Sequence, residues 1–128
     1  MTELLAVAIG GAIGAVLRYL SGIILIRIMS RSDVINGTVF SNLLGCFLAG
    51  MALAWIANTA ILSPEITLFL TVGILGSLTT FSTFALETYQ LIGKETKPQL
   101  AAYLSLQLIA AFLLTAAGYW LIHTFGGL

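Results

Sequence analysis

The residues with the most chemistry to offer stand together in one run, Gly73-Ile74-Leu75-Gly76-Ser77-Leu78-Thr79-Thr80-Phe81-Ser82-Thr83-Phe84. Two glycines followed by five hydroxyl residues within seven positions are poor material for an uninterrupted helix. A helix that opens here frees backbone carbonyls, and freed carbonyls inside a membrane can ligate a cation. The alternative is that the hydroxyls bond back onto their own helix. Phe81 and Phe84, three positions apart, share a face beside this segment. Packing is one reading of such a pair. The other is electrostatic: a ring edge carries partial positive charge and favours a small anion without the fixed charge that would hold it too tightly to conduct. Asn42 adds two amide N–H donors. Tyr103, Gln107, Ala111 and Thr115 recur every four residues, a polar stripe interrupted once. Together these residues make a donor-lined path without lysine, suited to a strongly hydrated, weakly held anion.

The elements that position them follow from composition. Of 128 residues, 59% are apolar and only 8% charged, and the mean hydropathy is +1.08. A soluble domain carries about a quarter charged residues, so the solvent of this chain is lipid. A bilayer core about 30 Å thick takes about 20 helical residues, and four stretches qualify: residues 4–29, 34–62, 66–92 and 99–125. The expectation is an all-α membrane protein of four transmembrane helices with a broken third helix, forming one domain over residues 1–128. Asp33 is placed to cap the second helix. Ser63-Pro64-Glu65 reads as the start of the third, with Ser63 as cap and Pro64 at the first position. Connections this short force neighbouring helices antiparallel. Arg27, Arg31, Lys94 and Lys97 fall on one side and none on the other, which puts the first and third loops in the cytoplasm. The start, Met1-Thr2-Glu3, lacks a basic segment and reads as mature protein rather than a cleavable signal.

Small residues mark the packing faces. Gly10, Gly14, Arg18 and Gly22 form one stripe on the first helix, and Thr38, Asn42, Cys46 and Gly50 another on the second. Arg18 and Asn42 are costly so deep in apolar runs, which singles them out beyond packing. Other function classes are poorly served. A net charge of zero argues against a nucleic-acid partner. Cys46 alone builds no disulfide framework and reads as a small buried residue. His123 sits at the end of the last span, metal-ligand spacings are missing, and no acid–base pair can be placed among Glu3, Glu65, Glu87 and Glu95. The chain reads as no enzyme.

Four segments, in order, resemble the Fluc (CrcB) family of fluoride channels along nearly the whole chain. They are Gly10-Gly11-Ala12-Ile13-Gly14-Ala15-Val16-Leu17-Arg18-Tyr19, Gly37-Thr38-Val39-Phe40-Ser41-Asn42-Leu43-Leu44-Gly45, the run from Gly73 to Phe84 with Glu87 following, and Ala102-Tyr103 with its stripe ending at Thr115. Thr-Thr-Phe-Ser-Thr-Phe in a third span of four is the most specific of these. The resemblance implies an antiparallel, dual-topology dimer in the cell membrane that exports fluoride passively through two pores, each lined by both subunits. By position it implies that Asn42, Phe81 and Phe84 line the anion path, with Tyr103, Ser82, Thr83 and Thr115 nearby. Thr38 and Gln107 complete the candidate lining. The backbone carbonyls of Gly76 and Thr79 from both subunits would hold a structural sodium ion, and Arg18 would face a vestibule and raise the local anion concentration. Ser77 stands where the family commonly has glycine, and Gln107 and Ala111 where the fourth span often has serines.

A homodimer of opposed subunits needs little charge bias, yet the loop Lys and Arg gather on one side. The expected partner is a second copy of the chain, with an oppositely oriented paralogue as the alternative; fluoride and membrane lipid are the others. Two rival functions remain. A proton-coupled exporter similar to the small multidrug resistance transporters would need an embedded acid in the first span, where only Glu3, at its start, is found. A non-transporting assembly subunit would leave the hydroxyl-rich segment around Phe81 and Phe84 without a purpose.

Overall fold

Apolar runs in lipid must satisfy their backbone internally, and helices do so within a single segment. The computed structural model describes residues 1–28, 32, 34–59, 62–94 and 97–126. Among these residues, four helices are long and apolar enough to cross a membrane: Thr2–Ile28, Gly37–Asn58, Pro64–Gly93 and Lys97–Phe125. They are called here the first to fourth spans.

The ends of the spans follow local chemistry rather than hydropathy. The second span begins at Gly37, not at residue 34. Asn36 is its cap, in extended backbone with φ −136° and ψ 179°, and its side-chain oxygen accepts from the Val39 N–H. Val34 and Ile35 are apolar but precede the cap, which is why hydropathy alone extends the helix too far. Asp33, the expected cap, lies outside the described residues. The third span starts as its sequence predicts, with Ser63 accepting from the Ile66 N–H and Pro64 in the first turn. Thr2 donates to Glu65 at 3.2 Å and so ties the starts of the first and third spans together.

Close approaches set the topology. A β-carbon on Gly10 would meet Phe69 and Gly73, and one on Gly14 would meet Ile74 and Ser77, so the first and third spans run parallel. Gly37 lies against Gly22, which turns the second span back along the first. A β-carbon on Gly50 would strike the Thr115 carbonyl, and one on Gly118 the Phe47 carbonyl, so the second and fourth spans are antiparallel with their backbones in contact. Helices come this close only where side chains are absent.

The third and fourth spans are not uniform α-helices. The third has π-helical geometry over Phe69–Leu75, a short α-helical piece at Gly76–Leu78, and a final α-helix at Phe81–Gly93. Thr79 and Thr80 between them are extended, with ψ of 155° and 116°. The fourth is π-helical over Ser105–Ala110. A wider turn makes residues four apart lag where in an α-helix they lead. The four-residue polar stripe therefore stays nearly in line through Gln107. Large apolar side chains such as Phe112 and Leu113 point outward, and the small interior centres on Val39, Leu91 and the fully buried Tyr103.

Candidate functional site

The site is organised by the two extended residues of the third span. Thr80 caps the helix that follows: its hydroxyl accepts from the Thr83 N–H at 3.3 Å and lies 3.1 Å from the hydroxyls of both Ser82 and Thr83. Its own N–H donates to Asn42 Oδ1 at 2.8 Å, and its carbonyl accepts from Asn42 Nδ2 at 3.3 Å. Asn42 thus replaces helical partners on both sides of one peptide position. In a regular helix the N–H groups of Thr80 and Thr83 would bond the carbonyls of Gly76 and Thr79. Both are engaged elsewhere, so these two carbonyls lose their helical donors. Leu75 differs, since its carbonyl keeps the Thr79 N–H and also takes the Thr79 hydroxyl.

From Asn42 the polar contacts continue across the subunit. Asn42 Nδ2 donates to Gln107 Oε1 at 3.0 Å, Gln107 Nε2 donates to the Tyr103 hydroxyl at 3.2 Å, and Tyr103 donates to Glu87 Oε2 at 2.6 Å. Glu87 also accepts from Asn36 Nδ2 at 2.9 Å and from the Thr38 hydroxyl at 2.8 Å. Asn42 therefore spends both of its amide hydrogens inside the chain, on Thr80 and on Gln107. The sequence alone offers them to an anion.

The aromatic residues sit beside this chain of contacts. Phe81 and Phe84 have centroids 5.5 Å apart at 52°, and Phe84 stacks on Tyr103 at 5.9 Å and 11°. With one face covered by Tyr103, Phe84 has its edge left to present. Phe81 is 78% exposed. Both border an open groove of about 240 Å³ with Asn42, Thr80 and Gln107. A second groove, about 350 Å³, is bordered by Arg18, Thr38, Thr80 and Thr83, so Thr80 stands at the boundary of the two. A third, about 320 Å³, is bordered by Gly76, Thr79 and Thr115. Cys46, half-buried rather than buried, borders the first and third.

The expected residues are thus divided. Asn42, Phe81, Phe84 and Gln107 border one groove, and Tyr103 lies behind it. Thr38, Thr83 and Arg18 border the neighbouring one. Thr115 is apart, with its hydroxyl turned back onto the Ala111 carbonyl at 3.0 Å; Gly76 borders its groove, and Thr79 borders both that groove and the one beside Asn42. Two residues that organise the site were not singled out from sequence, Glu87 and Asn36. The signal for Glu87 was present: an acid within an apolar span is costly and must find partners. Asn36 had only the weaker signal of a capping residue before Gly-Thr. Among the described residues, no group of three or more His, Cys, Asp or Glu side chains could hold a metal.

Comparison with known proteins agrees over most of the chain. The family model described as "CrcB-like protein, Camphor Resistance (CrcB)" matches residues 5–119. Among curated proteins, the chain is similar to the "Fluoride-specific ion channel FluC" of Shewanella frigidimarina, 49% identical over 92 residues, which is 72% of this chain and 73% of that one. The protein of the same name from Nautilia profundicola is 39% identical over 117 residues, 91% of this chain and 90% of that one. Its namesake from Pseudomonas syringae pv. maculicola is 38% identical over 118 residues, 92% and 91%. The match reaches into all four spans of a multi-pass membrane protein and takes in every residue of the three grooves, and the chain belongs to the CrcB family.

Proposed function

We infer that this chain is a subunit of a fluoride channel, not an enzyme, and that it lets fluoride leave the cell passively across the cell membrane. The observation that carries the reading is the Phe81–Phe84 pair, bordering one groove with Asn42 and Gln107 and with no fixed cation among its lining residues. Ring edges favour a small anion without a fixed charge, and so hold it weakly enough to release it. Arg18 borders the adjoining groove with Thr38 and Thr83, where its charge concentrates anions before they enter. The name carried by the relatives, fluoride-specific ion channel, selects the anion.

The functional unit is a dimer of oppositely oriented copies. Phe81, 78% exposed in the single chain, is a large apolar ring next to polar groups, and the open grooves around it are half-sites that a second copy would close. The extended Thr79–Thr80 step supports reading the third span as a broken helix at the pore. The carbonyls of Gly76 and Thr79, deprived of their helical donors, fit a hard cation that prefers oxygen ligands. Two from each subunit would hold one sodium ion on the dimer axis, where its charge locks the breaks of the two subunits together.

The test is fluoride efflux from liposomes containing only this purified chain, read with a fluoride electrode and a chloride control. Fast, fluoride-selective efflux is expected. Silence from well-folded protein, persisting when an oppositely oriented paralogue is supplied, overturns the channel reading; activity only with the paralogue replaces the homodimer. A second expectation concerns the cation. Exchanging sodium for a bulky organic cation on both sides should lower fluoride flux and weaken the dimer on size exclusion, and indifference of both would remove the sodium site.

A further inference from the structure

The contacts between Thr80 and Glu87 form a chain with only one possible direction. At one end the Thr80 N–H can only donate, so Asn42 must turn its oxygen toward it. Asn42 then faces Gln107 with its amide nitrogen, and Gln107 must answer with its oxygen. Gln107 in turn offers its nitrogen to Tyr103, which leaves the tyrosine hydrogen to go elsewhere. It goes to Glu87, whose two oxygens already accept from Asn36 and Thr38. The two ends dictate the same direction independently, and hydrogen bonds in such a chain reinforce one another.

We propose that Glu87 is a positioning residue that acts through Tyr103 and Gln107 to fix the Asn42 amide, and through it the Thr80 peptide at the helix break. This rests on the fluoride-channel reading for its consequence, but not for its physics. Gln107 is the link that makes the relay possible: its side chain spans the gap between Tyr103 and Asn42, and it is only 8% exposed. Glu87 shares no hydrogen bond with Asn42 or Thr80, and the side-chain path between them runs through Tyr103 and Gln107.

The test pairs two substitutions that do not touch each other, Glu87→Gln and Gln107→Met, in the full chain reconstituted in liposomes. Glutamine at 87 keeps the shape but can turn its amide nitrogen toward Tyr103, which breaks the relay at that end while Thr80 still orients Asn42; methionine at 107 removes the link. Each should lower fluoride flux about tenfold, and the double variant should also fall about tenfold rather than the roughly hundredfold of independent effects. In a Tyr103→Phe background, which keeps the ring and loses the hydroxyl, Glu87→Gln should add nothing. A second readout needs no flux. In nitrogen-labelled protein in nanodiscs, the Thr80 amide signal should shift with Glu87→Gln and stop responding once Tyr103 is phenylalanine. A residue that merely holds Asn36 and Thr38 in place would disturb signals near the start of the second span and leave Thr80 unmoved. Multiplicative flux losses with an unchanged Thr80 signal overturn the relay. If the native chain carries no fluoride, the channel reading fails while the Thr80 signal still decides the relay. If Gln107→Met does not fold, the Glu87 and Tyr103 variants decide it alone.

Discussion

Phe81→Ile is expected to cut fluoride flux by at least about tenfold, the effect of about 1.4 kcal/mol added to the barrier, while the protein stays folded and dimeric. Isoleucine keeps the apolar bulk but has no ring and therefore no positive edge to offer an anion. Phe81 packs little within its own chain: it is 78% exposed, and its ring contact is Phe84 at 5.5 Å. Losing it therefore costs the fold almost nothing. Phe84→Ile should harm both flux and stability, because Phe84 also stacks on the fully buried Tyr103. The measurement is fluoride-electrode efflux beside a size-exclusion profile. Native flux in Phe81→Ile would remove the ring from the anion path and leave it as packing.

Gly118→Val should prevent recovery of folded protein altogether. A β-carbon at position 118 would overlap the Phe47 carbonyl and crowd the Met51 nitrogen. Those are backbone atoms, and they cannot turn aside as a side chain could. Overpacking typically costs about 1–3 kcal/mol where side chains can adjust; here the second and fourth spans must separate. Gly50 faces the Thr115 carbonyl in the same seam, so Gly50→Val should behave alike. Gly93→Ala supplies the control, since a β-carbon there meets nothing within 4 Å. The readout is the monodisperse yield after detergent extraction together with a thermal melt. A normal melt for Gly118→Val would mean that the two spans are not in backbone contact in the membrane.

These two sites show where sequence is sufficient and where it is not. The glycine stripes announced close packing, because only small residues let helix backbones meet. Which glycine faces which carbonyl was not announced, since that depends on how far each helix slides along its neighbour. Ser63, Pro64 and Glu65 declared a helix start because capping is local, complete within four residues. The start of the second span was misplaced for the complementary reason: Val34 and Ile35 continue the apolar run, while the actual cap is a side-chain bond from Asn36 to the Val39 N–H. The π-helical stretches at Phe69–Leu75 and Ser105–Ala110 had no readable signal in the sequence.

By itself the sequence determined the solvent of this protein, the number of its membrane-capable helices and the segment where chemistry gathers. These are sums and spacings along the chain, and no contact between distant residues can change them. Only the tertiary structure decided what the polar groups do. Asn42 looked like two free donors and is instead bound to Thr80 and Gln107, 38 and 65 positions away. Glu87 showed no acid–base partner in the sequence and accepts from Thr38 on the second span, from its cap Asn36 and from Tyr103 on the fourth. A hydrogen bond needs two atoms within about 3 Å at a fitting angle, and for groups so far apart in sequence that condition exists only once the helices are packed.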